Sequence, residues 1–439
     1  MLSILVCSAA PLYTGQPPRN GKVQGCGCDD WQNAAAAAMT ALEGAPWHER
    51  LRKALAALPR ERRRELRAYA RPAEADSLLR PEEAGAALLD LASNDYLGLS
   101  RHPAVRAAAA AELESSGLGA GASRLVSGTR PVHLALEAAL AAWLGRQRVL
   151  LFPSGFQANL AAVNALADRH SLVLADRLIH HSLLAGARLS GARLQRFAHN
   201  NLADLERRLS QARRERPEGP LLVLCESIYS MEGTSAPVRE LAALCARHGA
   251  PLLVDEAHAL GVIGPAGRGL AHGLVEVALV SGTFGKAFGS GGAFLAADEP
   301  LGEWLLQSSG AFRYSTALAP PLAAGALAAL ELLRAEPQAG AALCRRAERW
   351  RDGLEAAGWP RPPGAGPILP LLVGDDGEAL ALQQRLEAAG LLTVAIRPPT
   401  VPEGTARLRL VLRRDLPTGS LERLLGALGS GPKFVCRGG

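Results

Sequence analysis

The chain has 439 residues, of which 48% are hydrophobic and 21% are charged, the balance of a globular protein with more than one packed unit. No apolar run is long enough to span a bilayer, so no membrane role is expected. The net charge is +6 and the pI about 9.1, but the arginines are scattered along the chain, which argues against a nucleic-acid partner.

The amino-acid composition changes along the chain, and these changes predict the boundaries of its domains. The first 45 residues are rich in Gly, Pro and Ala without sustained periodicity, which indicates a disordered leader or a misassigned start. The predicted regions are the leader over residues 1–45, an N-terminal helix and arm over 46–90, a large α/β domain over 91–335, a smaller α+β domain over 336–430 and a tail over 431–439.

In chain order, the first predicted element is a helix over residues 47–69, where leucines recur at helical spacing. Further on, short apolar runs alternate with helical patterns such as residues 157–166 and 238–247. The predicted strands of this central region are residues 149–153, 172–175, 221–225, 251–254, 277–280 and 293–296. This alternation indicates a mostly parallel sheet with helices on both faces.

The C-terminal region predicts a second, smaller sheet backed by a helix over residues 379–389. Its predicted strands are residues 368–373, 393–397 and 406–412. The Gly-rich residues 117–121 are similar to a phosphate loop, but they lack the GK[ST] ending and follow no clear strand. A tight turn is therefore the favoured interpretation of that segment.

The seven cysteines form no framework, and Cys26 and Cys28 make only an isolated CxC pair. One such pair without a nearby histidine cluster is a weak sign of a metal site, so no metal is expected. The lack of a disulfide framework favours a reducing compartment and predicts a cytoplasmic protein.

Lysine is rare in this chain, which has four lysines among 48 lysine and arginine residues. Only Lys286 lies in the middle of the sequence, within an apolar, Gly-rich stretch over residues 283–292. A primary amine can form a Schiff base with an aldehyde, whereas a guanidinium cannot. Lys286 is therefore a candidate for covalent attachment of a cofactor, and a stray surface lysine is the alternative.

Polar residues follow the predicted strands, where open α/β sheets bind their ligands. Asp255 ends one predicted strand and His258 lies three residues further on. Gly155 and Phe156 open a helix directly after another strand, so their backbone amides form a natural phosphate site. Candidates beyond the other strands are His180, Ser230 and Thr283.

This set matches the needs of pyridoxal 5'-phosphate (PLP), which requires a lysine, an acid beside its pyridine nitrogen and a phosphate cradle. Taken alone, each residue also has a structural explanation. Asp255 suits an ion pair or a helix cap, and a single histidine is more often a satisfied structural group. The order of the whole set along the chain favours the cofactor site.

From about residue 47 to residue 428, the sequence resembles the α-oxoamine synthases, which are fold-type I (aspartate aminotransferase-like) PLP enzymes. The matching stretches are residues 93–99 (SNDYLGL), 154–156 (SGF), 255–258 (DEAH), 261–264 (GVIG) and 283–286 (TFGK). Residues 196–200 (RFAHN) and 395–402 (AIRPPTVP) resemble the branch that condenses L-alanine with a pimeloyl thioester. Ala259 departs from the family, which usually has a glycine after the histidine.

The resemblance implies a fold and a set of cofactor contacts. The fold is a large, mostly parallel sheet domain with a smaller α+β C-terminal domain. Lys286 would hold PLP covalently and act as a base, Asp255 would pair with the pyridine nitrogen, and His180 would stack on the ring. The remaining implied contacts are His258 and Ser230 with the phenolate, and Gly155, Phe156 and Thr283 with the phosphate.

The resemblance also implies substrate contacts and a partner subunit. Asn94 and Arg409 would hold the amino-acid carboxylate, while Thr400 and Arg67 would contact the acyl substrate. Ser315 and Thr316 would reach the phosphate bound by the other subunit, which implies a homodimer with shared active sites.

The implied reaction joins L-alanine to a pimeloyl thioester, on coenzyme A or acyl carrier protein, with loss of CO2, in biotin biosynthesis. One alternative is a sister synthase that uses glycine with an acetyl or succinyl thioester, or serine with a fatty acyl thioester. Another is a different fold-type I enzyme, such as an aminotransferase. A non-catalytic PLP-binding subunit is the third, and it would be expected to have lost Lys286 or His258, which are both present.

Overall fold

The computed structural model describes residues 45–73, 75–82 and 85–429. The predicted tail and all of the predicted leader except Ala45 therefore lie outside the described residues. Packing divides the chain into two units, Met1–Arg63 and Arg64–Gly439. The predicted boundary between a large and a small domain at residue 335 stays a prediction.

The described part of the first unit contains helix α1 (Pro46–Ala57) and a 3-10 turn (Arg60–Arg62), neither of which buries a side chain. The prediction of one helix over residues 47–69 is wrong in its length. Leu58 leaves the helix with φ −69° and ψ 122° because Pro59 follows it. A proline disfavours helical backbone at the residue before it and offers no N–H to continue the hydrogen-bond pattern.

The second unit alternates helices and strands. Its helices are α2 (Pro103–Ser116), α3 (Pro131–Leu144), α4 (Gly155–Leu166), α5 (His181–Leu189), α6 (Leu202–Glu215), α7 (Val238–Arg247), α8 (Glu299–Ser308), α9 (Gly310–Arg313), α10 (Pro320–Ala335), α11 (Ala339–Ala356), α12 (Asp376–Ala388) and α13 (Ser420–Leu428). Its strands are β1 (Tyr69–Ala70), β2 (Leu78–Pro81), β3 (Leu88–Asp90), β4 (Arg148–Phe152), β5 (Leu172–Asp176), β6 (Arg193–Phe197), β7 (Leu221–Glu226), β8 (Leu252–Asp255), β9 (Val277–Thr283), β10 (Ala293–Ala297), β11 (Ile368–Gly374), β12 (Leu391–Leu392), β13 (Val394–Ile396) and β14 (Ala406–Val411).

A seven-stranded sheet has the order β4-β10-β9-β8-β7-β5-β6, and β10 runs antiparallel to both of its neighbours while the other pairs are parallel. Both faces of this sheet are covered, because alternate residues of β7 belong to different core clusters, Val223 to one and Leu222 with Leu224 to the other. The prediction of a mostly parallel sheet is confirmed, and all six predicted central strands are present. The edge strand β6 was not predicted because polar residues occupy most of its length.

Two smaller sheets complete the second unit. The three strands predicted for the C-terminal region, β11, β13 and β14, are present in one sheet. They pair antiparallel in the order β11-β14-β13, and every residue of the central β14 is buried. The other sheet has the order β1-β2-β3-β12, with β12 parallel to β3. The Gly-rich residues 117–121 form an irregular connection rather than the tight turn that was favoured, with positive φ at Gly117 and Gly121.

The GVIG stretch at residues 261–264 is a place where backbones approach closely. A Cβ on Gly264 would stand 1.9 Å from the carbonyl oxygen of Gly269, and φ at Gly264 is +84°. A Cβ on Gly261 would stand 2.7 Å from the Cβ of Ala287, the neighbour of Lys286 in the chain. This stretch therefore supports the segment that carries Lys286.

Arg413 is a fully buried cation that joins distant parts of the second unit. Its Nη1 lies 3.1 Å from Oδ2 of Asp90, which is also fully buried, and its Nη2 lies 2.7 Å from Oδ2 of Asp415. Asp95, one residue after Asn94, lies 3.8 Å from the same Nη2 atom. The segment over residues 90–95 is thus held against the end of the last β-strand.

We expect Arg413→Leu to lower the free energy of unfolding by about 3–5 kcal/mol, because it leaves the carboxylate of Asp90 buried without its cation. The neighbouring Arg414 pairs with Glu336 at the surface, where both side chains are about half exposed. Arg414→Leu is therefore a matched control, with an expected change below about 1 kcal/mol. Urea unfolding of the two variants measures both values, and equal losses would contradict the role given to Arg413.

Candidate active site

The carboxyl edge of the seven-stranded sheet brings the predicted residues together. Asp255 ends β8, Thr283 ends β9 and Glu226 ends β7, and Gly155 begins α4 shortly after β4. They line one cavity of about 190 Å³. Of the residues predicted from the sequence, its lining contains Gly155, Phe156, His180, Asp255, His258, Thr283 and Lys286.

The amine of Lys286 is the central group of this cavity, and its Nζ lies 2.7 Å from Nε2 of His258. Burial lowers the pKa of Lys286 from 10.5 to about 8, although the nearby Asp255 and Glu226 carboxyl groups act to raise it. Desolvation disfavours a charged amine, so the uncharged form of Lys286 is accessible close to neutral pH.

His258 connects Lys286 with further buried polar side chains, the first of which is Tyr96. Its Nδ1 lies 2.5 Å from the hydroxyl of Tyr96. Burial, with a smaller contribution from the Lys286 charge, holds the pKa of His258 well below its usual value. The ring is therefore neutral, so one of its nitrogens donates a hydrogen bond and the other accepts one.

Arg409 and Asn94 lie together beyond Tyr96. Nη2 of Arg409 donates to Oδ1 of Asn94 at 2.9 Å, and the Tyr96 hydroxyl lies 3.4 Å from the same oxygen. Nε of Arg409 donates to the backbone carbonyl of Ser230 at 2.6 Å. Within residues 45–73, 75–82 and 85–429, no acidic side chain pairs with this buried guanidinium.

Asp255 is held in one orientation by two donors. Nδ2 of Asn159 donates to Oδ2 at 2.7 Å, and the backbone N–H of Ala257 donates to Oδ1 at 2.9 Å. Nδ2 of Asn159 also donates to the Ser182 hydroxyl at 2.9 Å. Asn159 was not among the residues predicted from the sequence, although it lies four residues after Gly155 and so on the same face of α4.

Glu226 is a second carboxyl group in the cavity, and the sequence analysis also missed it. Its side chain is only 3% exposed, and its Oε1 has no hydrogen-bond partner in the described part of the chain. Burial first, and the nearby Asp255 next, raise the pKa of Glu226 well above its usual value. A charged residue directly after the apolar run of residues 221–225 was the signal that could have found it.

The start of α4 offers donors for an anion. The backbone N–H groups of Gly155 and Phe156 have no acceptor among the residues that the structure describes. A Cβ on Gly155 would stand 3.7 Å from the hydroxyl oxygen of Thr283, so the two residues face each other closely. Such donors at a helix N-terminus suit a phosphate. Together with Lys286 and Asp255, they fit PLP.

A larger cavity of about 590 Å³ adjoins the first, and His180 lines both. Of the predicted residues, Ser230 and Thr400 line only the larger cavity. His180 caps the start of α5, and its Nδ1 lies 2.7 Å from the Ser182 hydroxyl.

Five predicted residues line neither cavity, and two of them, Asn94 and Arg409, are the contacting pair described above. Arg67 makes a paired contact with Glu387, with Nη1 donating to Oε2 at 2.9 Å. The Ser315 hydroxyl accepts from Nε2 of Gln157 in its own chain at 2.6 Å, and Thr316 forms a backbone bridge with Ser123. Contacts of Arg67 with the acyl substrate, and of Ser315 and Thr316 with another subunit, stay predictions.

Across the described ranges, no helix is both long and apolar enough to cross a membrane. No group of three or more His, Cys, Asp or Glu side chains in these ranges is arranged to hold a metal ion.

Comparison with known proteins shows the family of this chain and gives relatives that are more than 40% identical to it. Residues 86–428 match the family described as aminotransferase class I and II. The 8-amino-7-oxononanoate synthase of Anaeromyxobacter dehalogenans strain 2CP-1 is 46% identical over 347 residues, which cover 78% of this chain and 86% of that protein. The enzyme of the same name from Gluconacetobacter diazotrophicus is 43% identical over 373 residues, which cover 83% and 93%.

Solved structures of related enzymes have the same fold. A serine palmitoyltransferase from S. paucimobilis with a bound PLP–myriocin aldimine has a TM-score of 0.78 and 30% identity, covering 82% of this chain and 91% of that chain. An 8-amino-7-oxononanoate synthase from Francisella tularensis has a TM-score of 0.66 and 27% identity, covering 78% and 96%. The predicted fold class, the PLP dependence and the resemblance are confirmed. The chain belongs to the aminotransferase class I and II family and, within it, to the 8-amino-7-oxononanoate synthases.

Proposed function

We propose that this enzyme condenses L-alanine with a pimeloyl thioester, on coenzyme A or acyl carrier protein, giving 8-amino-7-oxononanoate, CO2 and the free thiol of the carrier. The observation that carries the proposal is the Lys286 amine, which has a pKa lowered to about 8 and lies 2.7 Å from His258, beside Asp255. The names of the relatives at 43–46% identity support the choice of product.

The residues around Lys286 are the proposed holders of PLP. Lys286 would attach it covalently, since only an amine forms a Schiff base, and the oriented Asp255 would accept a proton shared with the pyridine nitrogen. When bound, PLP supplies an electron sink for charge that develops at Cα of the amino acid. The other proposed contacts are His180 with the ring, His258 and Ser230 with the phenolate, and Gly155, Phe156 and Thr283 with the phosphate.

Arg409 and Asn94 are the proposed binding site for the alanine carboxylate. A buried guanidinium without an acidic partner is costly unless a ligand supplies the negative charge. Planar donor pairs on arginine match the two oxygens of a carboxylate. The hydrogen bonds to Asn94 and to the Ser230 carbonyl fix the plane of the guanidinium before the substrate arrives.

Lys286 is the proposed base that takes the proton from Cα of alanine. Its amine must be uncharged to accept a proton, and burial makes this form accessible near pH 8. The neutral His258, held by Tyr96, orients Nζ of Lys286. Overall, a C–C bond forms between Cα and the thioester carbonyl carbon, the C–S bond breaks and the thiol leaves. The bond from Cα to the carboxylate then breaks as CO2 departs, and Cα takes up a proton in its place.

A sister reaction, serine with a palmitoyl thioester, is the second candidate. Structural similarity favours it, since the TM-score is 0.78 against the serine palmitoyltransferase and 0.66 against the F. tularensis synthase. Sequence favours the first, with 46% identity against 30%. Parallel assays with alanine plus pimeloyl-CoA and with serine plus palmitoyl-CoA separate the two, because only one pair should sustain rapid turnover.

A homodimer in the cytoplasm is the proposed state of the enzyme. Large apolar side chains are exposed near Ser315, in the sequence before α3 and on α3 itself, where a second copy would bury them. These are Leu118, Leu125, Val126, Leu134 and Tyr314. The thiols of Cys225, Cys245 and Cys344 are free, which suits a reducing compartment.

We expect the purified enzyme to form a product with the mass of 8-amino-7-oxononanoate, with one CO2 for each thiol released. Lys286→Ala should abolish this turnover, and borohydride should fix the cofactor to the wild-type lysine but not to the variant. Lys53→Ala is the matched control, because this lysine is 77% exposed on α1. Turnover of Lys286→Ala at the wild-type rate would refute the proposal.

We expect Asp255→Asn to bind PLP but to turn over at least about a hundredfold more slowly, because a buried charge-assisted contact contributes about 3 kcal/mol. The amide keeps the shape of the carboxylate and loses its charge. The measurement is exchange of the alanine Cα proton with deuterated solvent, in the presence of an acyl thioester. Exchange at the wild-type rate would mean that Asp255 is only structural.

In the cofactor-free enzyme, reductive methylation of Lys286 should become half-maximal near pH 8, because only the neutral amine reacts and burial lowers its pKa to about 8. Since Asp255 acts to raise this pKa, Asp255→Asn should move the midpoint to lower pH. Mass spectrometry of the peptide that contains Lys286 gives the midpoint. A midpoint near 10.5, or a shift to higher pH in the variant, would contradict the electrostatic account.

A further inference from the structure

The larger cavity of about 590 Å³ has a function that the cofactor site does not explain. It meets the cofactor cavity at His180, so a substrate that reacts beside Lys286 can extend into it. Much of its wall is apolar. The apolar lining residues are Leu178, Ile179, Leu184, Met231, Pro399, Val401 and Pro402.

Two arginines give this cavity a positive charge. Arg177 directly follows β5, and Arg196 lies on the neighbouring β6, where it is in register with Ala175. Both side chains are exposed, and Nη2 of Arg196 donates to the backbone carbonyl of Arg177. Over the described ranges, no carboxylate pairs with either guanidinium.

The acidic residue of the wall is paired with an arginine. Glu232 is the acidic residue in the lining, and Nη1 of Arg407 lies 3.3 Å from its Oε1. Burial lowers the pKa of His180, which favours its neutral form. Besides the two histidines His180 and His181, the basic residues of the lining are Arg177 and Arg196, whose guanidinium groups are permanently charged.

We propose that Arg177 and Arg196 bind the ω-carboxylate of the acyl donor, so that this cavity is a subsite for a dicarboxylic acyl chain. The inference rests on the proposed function and adds how the enzyme recognises its acyl substrate. The cavity combines an apolar wall with two guanidinium groups that have no carboxylate partner in the described ranges. This combination matches a methylene chain that ends in an anion. Arginine is suited to this task because its planar donors bind a carboxylate through two hydrogen bonds.

A phosphate on the carrier is the other source of negative charge. The pantetheine arm that bears it contains amide groups, and burying these against an apolar wall without hydrogen-bond partners is unfavourable. A chain of methylene groups has no such requirement. The wall of Leu178, Ile179 and Val401 therefore favours the acyl chain in this cavity.

The test uses the PLP-loaded enzyme and three acyl donors. These are pimeloyl-CoA, its ω-methyl ester, and S-pimeloyl-N-acetylcysteamine, which carries no phosphate. Arg177→Gln and Arg196→Gln should each raise the KM for pimeloyl-CoA about tenfold, with kcat nearly unchanged. The KM for the methyl ester should not change, so both variants should lose the wild-type preference for the free acid.

Arg193→Gln is the matched control, because Arg193 is exposed on the same strand as Arg196 and does not line the cavity. Its KM values should equal those of the wild type. If Arg196→Gln melts early, Arg177→Gln decides the outcome, because the side chain of Arg177 makes no hydrogen bond within the described ranges.

The remaining outcomes overturn the inference in distinguishable ways. In one outcome, the two arginine variants raise the KM for pimeloyl-CoA and for its methyl ester equally, but leave the KM for the N-acetylcysteamine donor unchanged. That result would mean that the arginines bind the carrier phosphate. Unchanged KM values with every donor would mean that the arginines are ordinary surface charges. Failure of the wild type to turn over any pimeloyl donor would instead refute the proposed function.

Discussion

The rest of the site depends on one contact, the 2.7 Å approach of the Lys286 amine to His258 in a buried setting. Removing this amine from water lowers its pKa to about 8, and the nearby carboxyl groups of Asp255 and Glu226 only partly oppose that effect. The contact is possible because His258 is itself neutral. A protonated imidazole at this distance would repel a protonated amine. The charge of Lys286 therefore contributes to the lowered pKa of His258, in addition to burial.

The fold builds this arrangement from segments that are far apart in the sequence. Parallel strands end at the same edge, which puts Asp255 and Thr283 beside each other, and the turn after β9 brings in Lys286. Strand β14 of the C-terminal sheet contributes Arg409, which reaches Asn94 across the site. The buried Arg413 near the end of β14 holds the segment around Asn94, so the same part of the chain supplies both the guanidinium and its support.

The sequence predicted the residues whose signal is local and missed those defined by contacts over long distances. Lys286 was found because lysine is rare here, and Asp255 because it ends an apolar run. Asn159 has no such signal, since its role depends on Asp255, which is distant in the chain, whereas Glu226 ends an apolar run just as Asp255 does and was overlooked. The strands were predicted well because they are buried on both faces, while the edge strand β6 is mostly polar and was missed. The first helix was predicted too long because its leucine spacing continues past Pro59.

The distribution of charge separates the tasks of binding and proton transfer. Near the reacting atoms, burial holds the pKa of His258 well below its usual value, raises the pKa of Glu226 and lowers the pKa of Lys286 to about 8. Permanent cations lie in two places, with Arg409 against Asn94 and the Ser230 carbonyl, and the pair of arginines in the wall of the larger cavity. A substrate pair with a carboxylate on the amino acid and another at the end of the acyl chain complements this pattern. The cations then select and orient the anions, while the burial of Lys286 leaves a neutral amine free to accept a proton.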